Sequence, residues 1–407
     1  MWKPELLAPA KNLERLKVAI AYGADAVYLG GQNYGLRARA DNFTDSDLAI
    51  GVAIAHQHHA KVYITLNAFL HDADLEGLPD YCQFLESIGV DAVIVSDLGV
   101  IRVIQNSSNL NIHLSTQASC LNSYAACLWK KVGVKRLIVG RELSIAAAGL
   151  IRENSGIDVE MFTHGAMCMA YSGHCTISNF TAGRDSNRGG CIQSCRLPYH
   201  LQSESQEKTD LVTFMSSRDL WGIYQIGDFF RHKICSLKIE GRMKSSFYVA
   251  LTCKIYRQLI DAHASGNLNA DMLAKAAAEL QSIPHRDYFS GSLETPANSD
   301  SVFGLSGINT GTHQYLGIVV ESTSQEIVLQ LIEPLAIGDE IEIIPFQGEP
   351  IKWKVERLYS IIGEGLNAMR KDSIVRIPKP DAGMCQNISK LNVVRFVPGV
   401  KSVVNAI

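Results

Sequence analysis

Apolar positions along this chain follow two rhythms. Short continuous runs of aliphatic and β-branched residues fall at positions 5–8, 26–29, 62–67, 92–96, 112–115, 136–139, 159–163 and 236–239. Between most of them, at 12–22, 45–58, 75–88, 98–105, 123–132 and 144–152, apolar residues recur at helical spacing. A continuous apolar run suits a strand buried on both faces, and an intervening amphipathic helix suits a parallel crossover. Asn12 is placed to cap the first helix. Three junctions repeat one phrase, YGADAVYLG, IGVDAVIVS and VGVKRLIVG, in which a Gly stops a helix and a strand follows. Eight such strands predict an α/β fold, a TIM-like (β/α)8 barrel. A doubly wound open sheet fits the same pattern, but no G-x-G-x-x-G follows the first strand.

After the eighth strand the rhythm changes twice. Helical spacing returns at 247–264 and 270–281, and residues 282–312 are rich in Gly, Ser, Asn and Pro. From Gln314 onward YLGIVVES, EIVLQLIE, DEIEIIP, IKWKVERLY and SIVRIP read as short strands between turns, a small C-terminal all-β barrel. The phrase LAIGDEIEIIP is of a kind common in small barrels related to translation-factor domains, an analogy that points toward RNA. The expected division is a barrel over 1–265 with a long loop at 164–210, a helix and linker over 266–312, and a β-barrel domain over 313–407.

Composition narrows the class. A chain of 407 residues, 47% hydrophobic, sustains a large core and a second domain. The start, MWKPELLAPAKNLERL, lacks an apolar run behind a basic head, so no signal peptide is expected. No run reaches the ~18 apolar residues of a membrane span. Ten cysteines without an export signal predict a reducing, cytoplasmic setting in which thiols are free or hold metal. The net charge of -3 neither requires nor excludes nucleic acid. Basic residues gather between 184 and 257, a distribution that an ordinary solvated surface also explains.

The densest chemistry is in HGAMCMAYSGHCTISNFTAGRDSNRGGCIQSC. Cys168, Cys175, Cys191 and Cys195 are spaced C-x6-C-x15-C-x3-C, directly after the seventh strand. Zinc sites usually show two tight knuckles, and only the second pair here is tight. Iron–sulfur clusters accept wider spacing because the ligands wrap a larger object. Iron–sulfur, zinc and free or redox thiols are the three readings; Cys235 competes for the fourth ligand position. Cys82, Cys120, Cys127, Cys253 and Cys385 sit in apolar or helical contexts and read as core. Polar residues also recur at strand ends, where barrel active sites are built. By strand alternation His113, Ser115 and Gln117 share a face, as do Thr65 and Asn67, and Lys238, Glu240 and Arg242. His164 and Cys168 are expected in the loop after the seventh strand.

PELLAPA with YGADAVYLG, HLSTQAS, HGAMCMAYSGHC, RDSNRGGCIQSCR and SLKIEGRMKS, in this order, resemble the collagenase-like peptidase family of historically unknown catalytic type. The resemblance covers nearly the whole chain. The C-x3-C ending and TFMSSRDL are similar to members implicated in oxygen-independent 5-hydroxylation of the wobble uridine of tRNA. Other members hydroxylate a ribosomal RNA cytidine or a quinone precursor, and others are known as proteases. The stretch between Tyr199 and Asp210 is shorter than in the members that share these motifs, a departure that bears on substrate. The resemblance implies a 4Fe-4S cluster on Cys168, Cys175, Cys191 and Cys195, prephenate as hydroxyl source, tRNA as partner and an electron donor.

A dicarboxylate needs cationic partners, for which Lys238, Arg242 and Arg141 stand at strand ends. Glu240 is placed to orient one of them or act as a base, and His113 and His164 to carry protons, with Gln117 beside them. Arg184, Arg188, Arg196 and Lys244 are the candidate substrate-binding cations of the basic segment. A structural charge network at the barrel mouth is the alternative for Lys238, Glu240 and Arg242. The peptidase alternative needs an activated nucleophile, yet neither G-x-S-x-G nor H-E-x-x-H occurs. Cys168 with His164 is the one pair that imitates a cysteine protease. A scaffold that delivers sulfur or iron is the third function class.

Overall fold

The computed structural model describes residues 2–36, 42–202, 211–295, 311–380 and 387–398. Strands β1 (Glu5–Pro9), β2 (Ala26–Leu29), β3 (Lys61–Leu66), β4 (Ala92–Val95), β5 (Asn111–Leu114), β6 (Arg136–Ile138) and β7 (Asp158–Ala166) pair parallel in sequence order. Asp219–Trp221 forms β8, and β9 (Ser236–Ile239) closes the ring by pairing parallel with both β7 and β1. The eight parallel strands expected from the sequence therefore form a closed TIM-like barrel. Helices α1 (Leu13–Ala21), α2 (Asp45–Gln57), α3 (Leu78–Ser87), α4 (Leu98–Ser107), α5 (Ser123–Val132) and α6 (Ile145–Ser155) surround it. Asn12 caps α1 by accepting from the Arg15 amide at 3.1 Å. The glycines of the repeated phrase, Gly23, Gly89 and Gly133, hold φ values of 100°, 84° and 104°, the left-handed turn that ends a helix.

Two departures from the expected pattern matter for the site. The seventh strand runs on to Ala166, because β8 pairs antiparallel with its end, His164 opposite Trp221. His164 is thus a strand residue rather than a loop residue. Then Tyr288–Phe289, in a stretch that reads as linker, forms β10 and pairs with β8, so residues 284–289 belong to the barrel rim. Short helices α7 (Ile177–Ala182) and α8 (Ile226–Arg231), then α9 (Ser246–Ala264) and α10 (Ala270–Leu280), complete the barrel region.

The C-terminal region is antiparallel, as expected, but curls as an open sheet of eight strands rather than a closed barrel; no pairing joins its edge strands among the described residues. It docks on the barrel through buried polar contacts. Tyr22 Oη donates to the Ile344 carbonyl at 2.6 Å, and Lys254 Nζ donates to the Pro345 and Gly348 carbonyls, each at 2.8 Å. Arg395 Nε lies 2.6 Å from Glu342 and its Nη1 2.7 Å from Glu279 on α10. Burial pushes the Lys254 ammonium down to about 8. No described helix is long and apolar enough to cross a membrane.

Candidate active site

The C-terminal ends of the barrel strands surround a cavity of about 420 Å³. A wider groove of about 1170 Å³ lies between α9, α10 and the C-terminal sheet, but its charges are mixed and it holds no thiol. The smaller cavity collects what the sequence singled out: Gln117, Arg141, Arg196, Lys238, Glu240, Arg242, Lys244 and all four cysteines of the long loop line it. With Arg286, six cationic side chains face it, and Glu240 is the one carboxylate among the described lining residues.

Each cation is held by a specific partner. Lys238 is buried, and its Nζ donates to Glu160 at 2.9 Å while sitting 4.4 Å from the Tyr28 ring centre. Glu160, fully buried on β7, also accepts from Arg136 Nη1 at 3.2 Å, and Arg136 reaches Glu5 at 2.6 Å. Burial opposes the charge of Arg136, but Glu5 and Glu160 outweigh it and raise its pKa. Arg242 donates to Thr65 at 3.3 Å and to Asn42 at 2.7 Å. Arg141 lies 3.8 Å over the Phe162 ring and 3.9 Å from Glu240, which accepts from Tyr28 at 3.3 Å. Arg196 donates to the Met167 and Ser217 carbonyls, and Lys244 to that of Pro284. Burial lowers the Lys244 pKa, and Arg286 and Arg196 add to the effect. This crowding of like charge is tolerated where an anion completes it. Asn67 Oδ1, Gln117 Oε1 and Arg141 Nε are buried in the lining without a hydrogen-bond partner among the described residues.

The cysteine loop is built to lie over this cavity. Gly173 has a φ of 82°, and a Cβ there would collide with the Gln117 backbone, so the loop is laid directly on the end of β5. Ser119 donates to the Ser172 carbonyl, and the Ser172 amide donates to Glu142 at 2.8 Å. Farther along, Arg188 pairs with Asp74 at 2.8 Å and donates to the Phe69 carbonyl at 2.8 Å, tying the loop to the segment after β3. Cys168 and Cys191 are exposed, Cys175 and Cys195 partly buried. Burial raises the Cys195 thiol, Arg196 pulls it down, and Cys168, Cys191 and Cys175 each push it up further, which places all four thiols in one electrostatic neighbourhood. No group of three His, Cys, Asp or Glu side chains among the described residues is arranged to hold a single metal ion. Four thiols lining one cavity are a donor set of the kind an iron–sulfur cluster takes.

The remaining expected residues lie elsewhere. His113 is buried inside the barrel against Tyr63, 4.7 Å between ring centres, and burial with Arg136 nearby drives its pKa well down. His164 is buried among Tyr248, Tyr256 and Tyr288, and burial pushes it down to about 3. Neither histidine lines the cavity. His164 Nδ1 meets Tyr256 Oη at 3.3 Å and its Nε2 has no partner among the described residues, Cys168 included. Arg188 is committed to the loop tie, and Arg184 lies outside the lining. Cys235 sits at the opposite, N-terminal end of the barrel, where its amide donates to Val159 and burial pushes its thiol up to about 12. Cys82, Cys120 and Cys253 are buried, Cys127 is partly buried, and Cys385 falls outside the described residues. Sequence reasoning missed Tyr28, Glu160, His285 and Arg286, all in or directly beneath the cavity.

A family model for peptidase family U32 matches residues 11–302, which span the barrel from α1 onward, the cysteine loop and the rim strand β10. The chain belongs to peptidase family U32. Among relatives of this U32 protein, tRNA hydroxylation protein P1 of Bacillus subtilis is 40% identical, over 90% of each chain. The 23S rRNA 5-hydroxycytidine C2501 synthase of Escherichia coli is 32% identical over 88% of this chain and 56% of its own. A protein of Porphyromonas gingivalis named collagenase is 30% identical over 70% of this chain and 72% of its own. The U32 match thus joins relatives with RNA-hydroxylation names to one with a protease name. It ends before the C-terminal sheet.

Proposed function

We propose that this U32 protein hydroxylates RNA at a pyrimidine ring carbon, with the wobble uridine of tRNA as substrate, and that it works without dioxygen. The names of the relatives support RNA hydroxylation, and one observation carries the reading: four thiols and six cations face a single cavity at the catalytic end of the barrel. Cys168, Cys175, Cys191 and Cys195 would hold a 4Fe-4S cluster. Such a cluster, when bound, supplies one-electron transfer, or Lewis acidity at an iron left open. Replacing a ring C–H by C–OH is a two-electron oxidation. An alcohol donor balances it: ring–H and R–OH give ring–OH and R–H. A dicarboxylate alcohol of the prephenate type suits the cationic lining. Arg141, Arg242 and Lys238 would bind its carboxylates, and the Tyr28 and Phe162 rings would cover its apolar face. Replacing Arg242 with Met should weaken use of the donor about 10–100-fold, read as a rise in its KM with RNA affinity unchanged.

The RNA would approach over the cysteine loop. Phe180 on α7 is 87% exposed and Tyr171 53%, and such rings on a catalytic rim serve as stacking platforms for unpaired bases. The double variant Phe180→Ala/Tyr171→Ala is expected to weaken tRNA binding by about 2–6 kcal/mol, measured by fluorescence titration. Wild-type affinity should fall steeply with salt. The deciding test is nucleoside mass spectrometry of tRNA from cells lacking this protein, with and without the gene restored. Restoration of 5-hydroxyuridine supports the reading. Its absence, together with peptide cleavage by iron-free protein, would transfer the assignment to hydrolysis.

A further inference from the structure

The two histidines chosen from the sequence are sealed from the cavity, and a third lines it. His285 is buried at 3% exposure and is the single histidine among the described lining residues. Its Nδ1 lies 2.5 Å from the carbonyl oxygen of Arg286. A carbonyl only accepts, so Nδ1 carries hydrogen and donates. In the neutral ring Nε2 then carries the lone pair. Nε2 is buried and has no partner among the described residues.

The ring's orientation is fixed rather than incidental. His285 stacks on Tyr288 at 4.3 Å and 13°, and Tyr288 stacks on Trp221 at 4.7 Å and 5°. Pairing of Tyr288 with Asp219 across β10 and β8 anchors the stack. The charged groups around this corner are Arg286, which faces Asp219 at 3.5 Å, with Lys244 and Arg196 under mutual influence. A rigid acceptor with its second nitrogen committed to the backbone is how a general base is oriented.

We infer that His285 is the proton acceptor of this cavity and acts directly on the pyrimidine, an assignment that rests on the hydroxylation reading above. As oxygen bonds to the ring carbon, that carbon's C–H bond breaks. Its electron pair stays in the ring and restores the double bond, and the proton forms an N–H bond at Nε2. The donor's C–O bond breaks with its electron pair left on carbon, and that carbon takes the proton from Nε2, which completes ring–OH and R–H. No further oxidant or reductant is consumed.

Three variants test this in the full-length, cluster-loaded protein under single turnover with tRNA and the hydroxyl donor. His285→Asn keeps a donor toward the Arg286 carbonyl and removes Nε2. The expected result is an about 10²–10⁴-fold slower hydroxylation with unchanged RNA affinity and visible spectrum. His285→Ala should be equally slow and regain rate when imidazole is added, which a merely structural role does not allow. Rates within threefold of wild type in His285→Asn, or slow His285→Ala that imidazole leaves slow, would overturn the assignment. If His285→Ala does not fold, His285→Gln joins His285→Asn and the rates alone decide. Wild-type protein that forms no hydroxylated RNA would remove the hydroxylation reading itself, whereas active wild type with equally active variants removes only His285.

Discussion

Cys191→Ala should leave the protein colourless and stop RNA modification while the barrel stays folded. Cys191 is exposed and belongs to neither hydrophobic cluster. It follows the tight turn over Ser186–Gly190, where the Gly190 amide donates to the Asp185 carbonyl at 2.8 Å. Truncating it removes one sulfur and no core packing, so the intrinsic cost to the fold is about 0.5 kcal/mol or less. The cost to a cluster is of another order. Loss of a mere supporting partner of a metal site lowers affinity or activity about 10–100-fold, and loss of a ligand exceeds that. The measurements are iron and sulfide content with an absorption spectrum after anaerobic purification, beside hydroxylation of tRNA. Cys127→Ala on α5 is the control and should keep both colour and activity. A Cys191→Ala protein with full iron and full activity would sink the cluster proposal; one without iron but fully active would make the cluster dispensable for the reaction.

The barrel was legible because its strands are buried on both faces and its helix stops recur. Each parallel strand had to be a short apolar run, and each helix had to end on a residue that tolerates positive φ, so Gly23, Gly89 and Gly133 mark the repeat. The cysteine loop was legible from spacing alone. Strand alternation also brought Lys238, Glu240 and Arg242 to the correct end of the barrel. Alternation says nothing of partners across strands, however. It suggests Lys238 beside Glu240, whereas the closed ring sets Lys238 opposite Phe162 on β7 and gives it Glu160, two residues earlier, as its anion. Alternation also points His113 inward without giving its depth, and His113 proves to lie against Tyr63 below the cavity. His285 and Arg286 were invisible for a different reason. They precede a rim strand only two residues long, too short for any period, whose partner β8 is itself an extra strand that no repeat announces. The C-terminal sheet shows the same limit: five strand-like phrases imply antiparallel pairing, but closure depends on the curl of the whole sheet.

Glu160→Ala should be among the most destabilising single changes in the barrel. The chain Lys238–Glu160–Arg136–Glu5 is a run of two cations and two carboxylates inside the barrel, closed by Tyr63 Oη donating to Glu5 at 2.7 Å. Its formal charge is balanced, and removing the fully buried Glu160 leaves two cations facing one carboxylate. Breaking a buried pair from one side costs about 3–5 kcal/mol, because the surviving charge is left desolvated. Lys238→Met should cost less, since Glu160 keeps Arg136 at 3.2 Å. The double variant Glu160→Ala/Lys238→Met leaves the Arg136–Glu5 pair at 2.6 Å intact, and its cost should fall below the sum of the two single changes. Denaturant unfolding of the three variants measures this coupling, and additive costs, or a Glu160→Ala loss under about 1 kcal/mol, would refute it. The same network fixes where the Lys238 charge stands in the cavity. Glu160 holds the ammonium 4.4 Å from the Tyr28 ring centre, in the cavity that Arg141 and Arg242 also line. If the proposed anionic donor binds here, Glu160→Gln, which keeps the shape and removes the charge, should raise its KM more than it lowers kcat, whereas loss of kcat alone would place Lys238 at the reacting atoms.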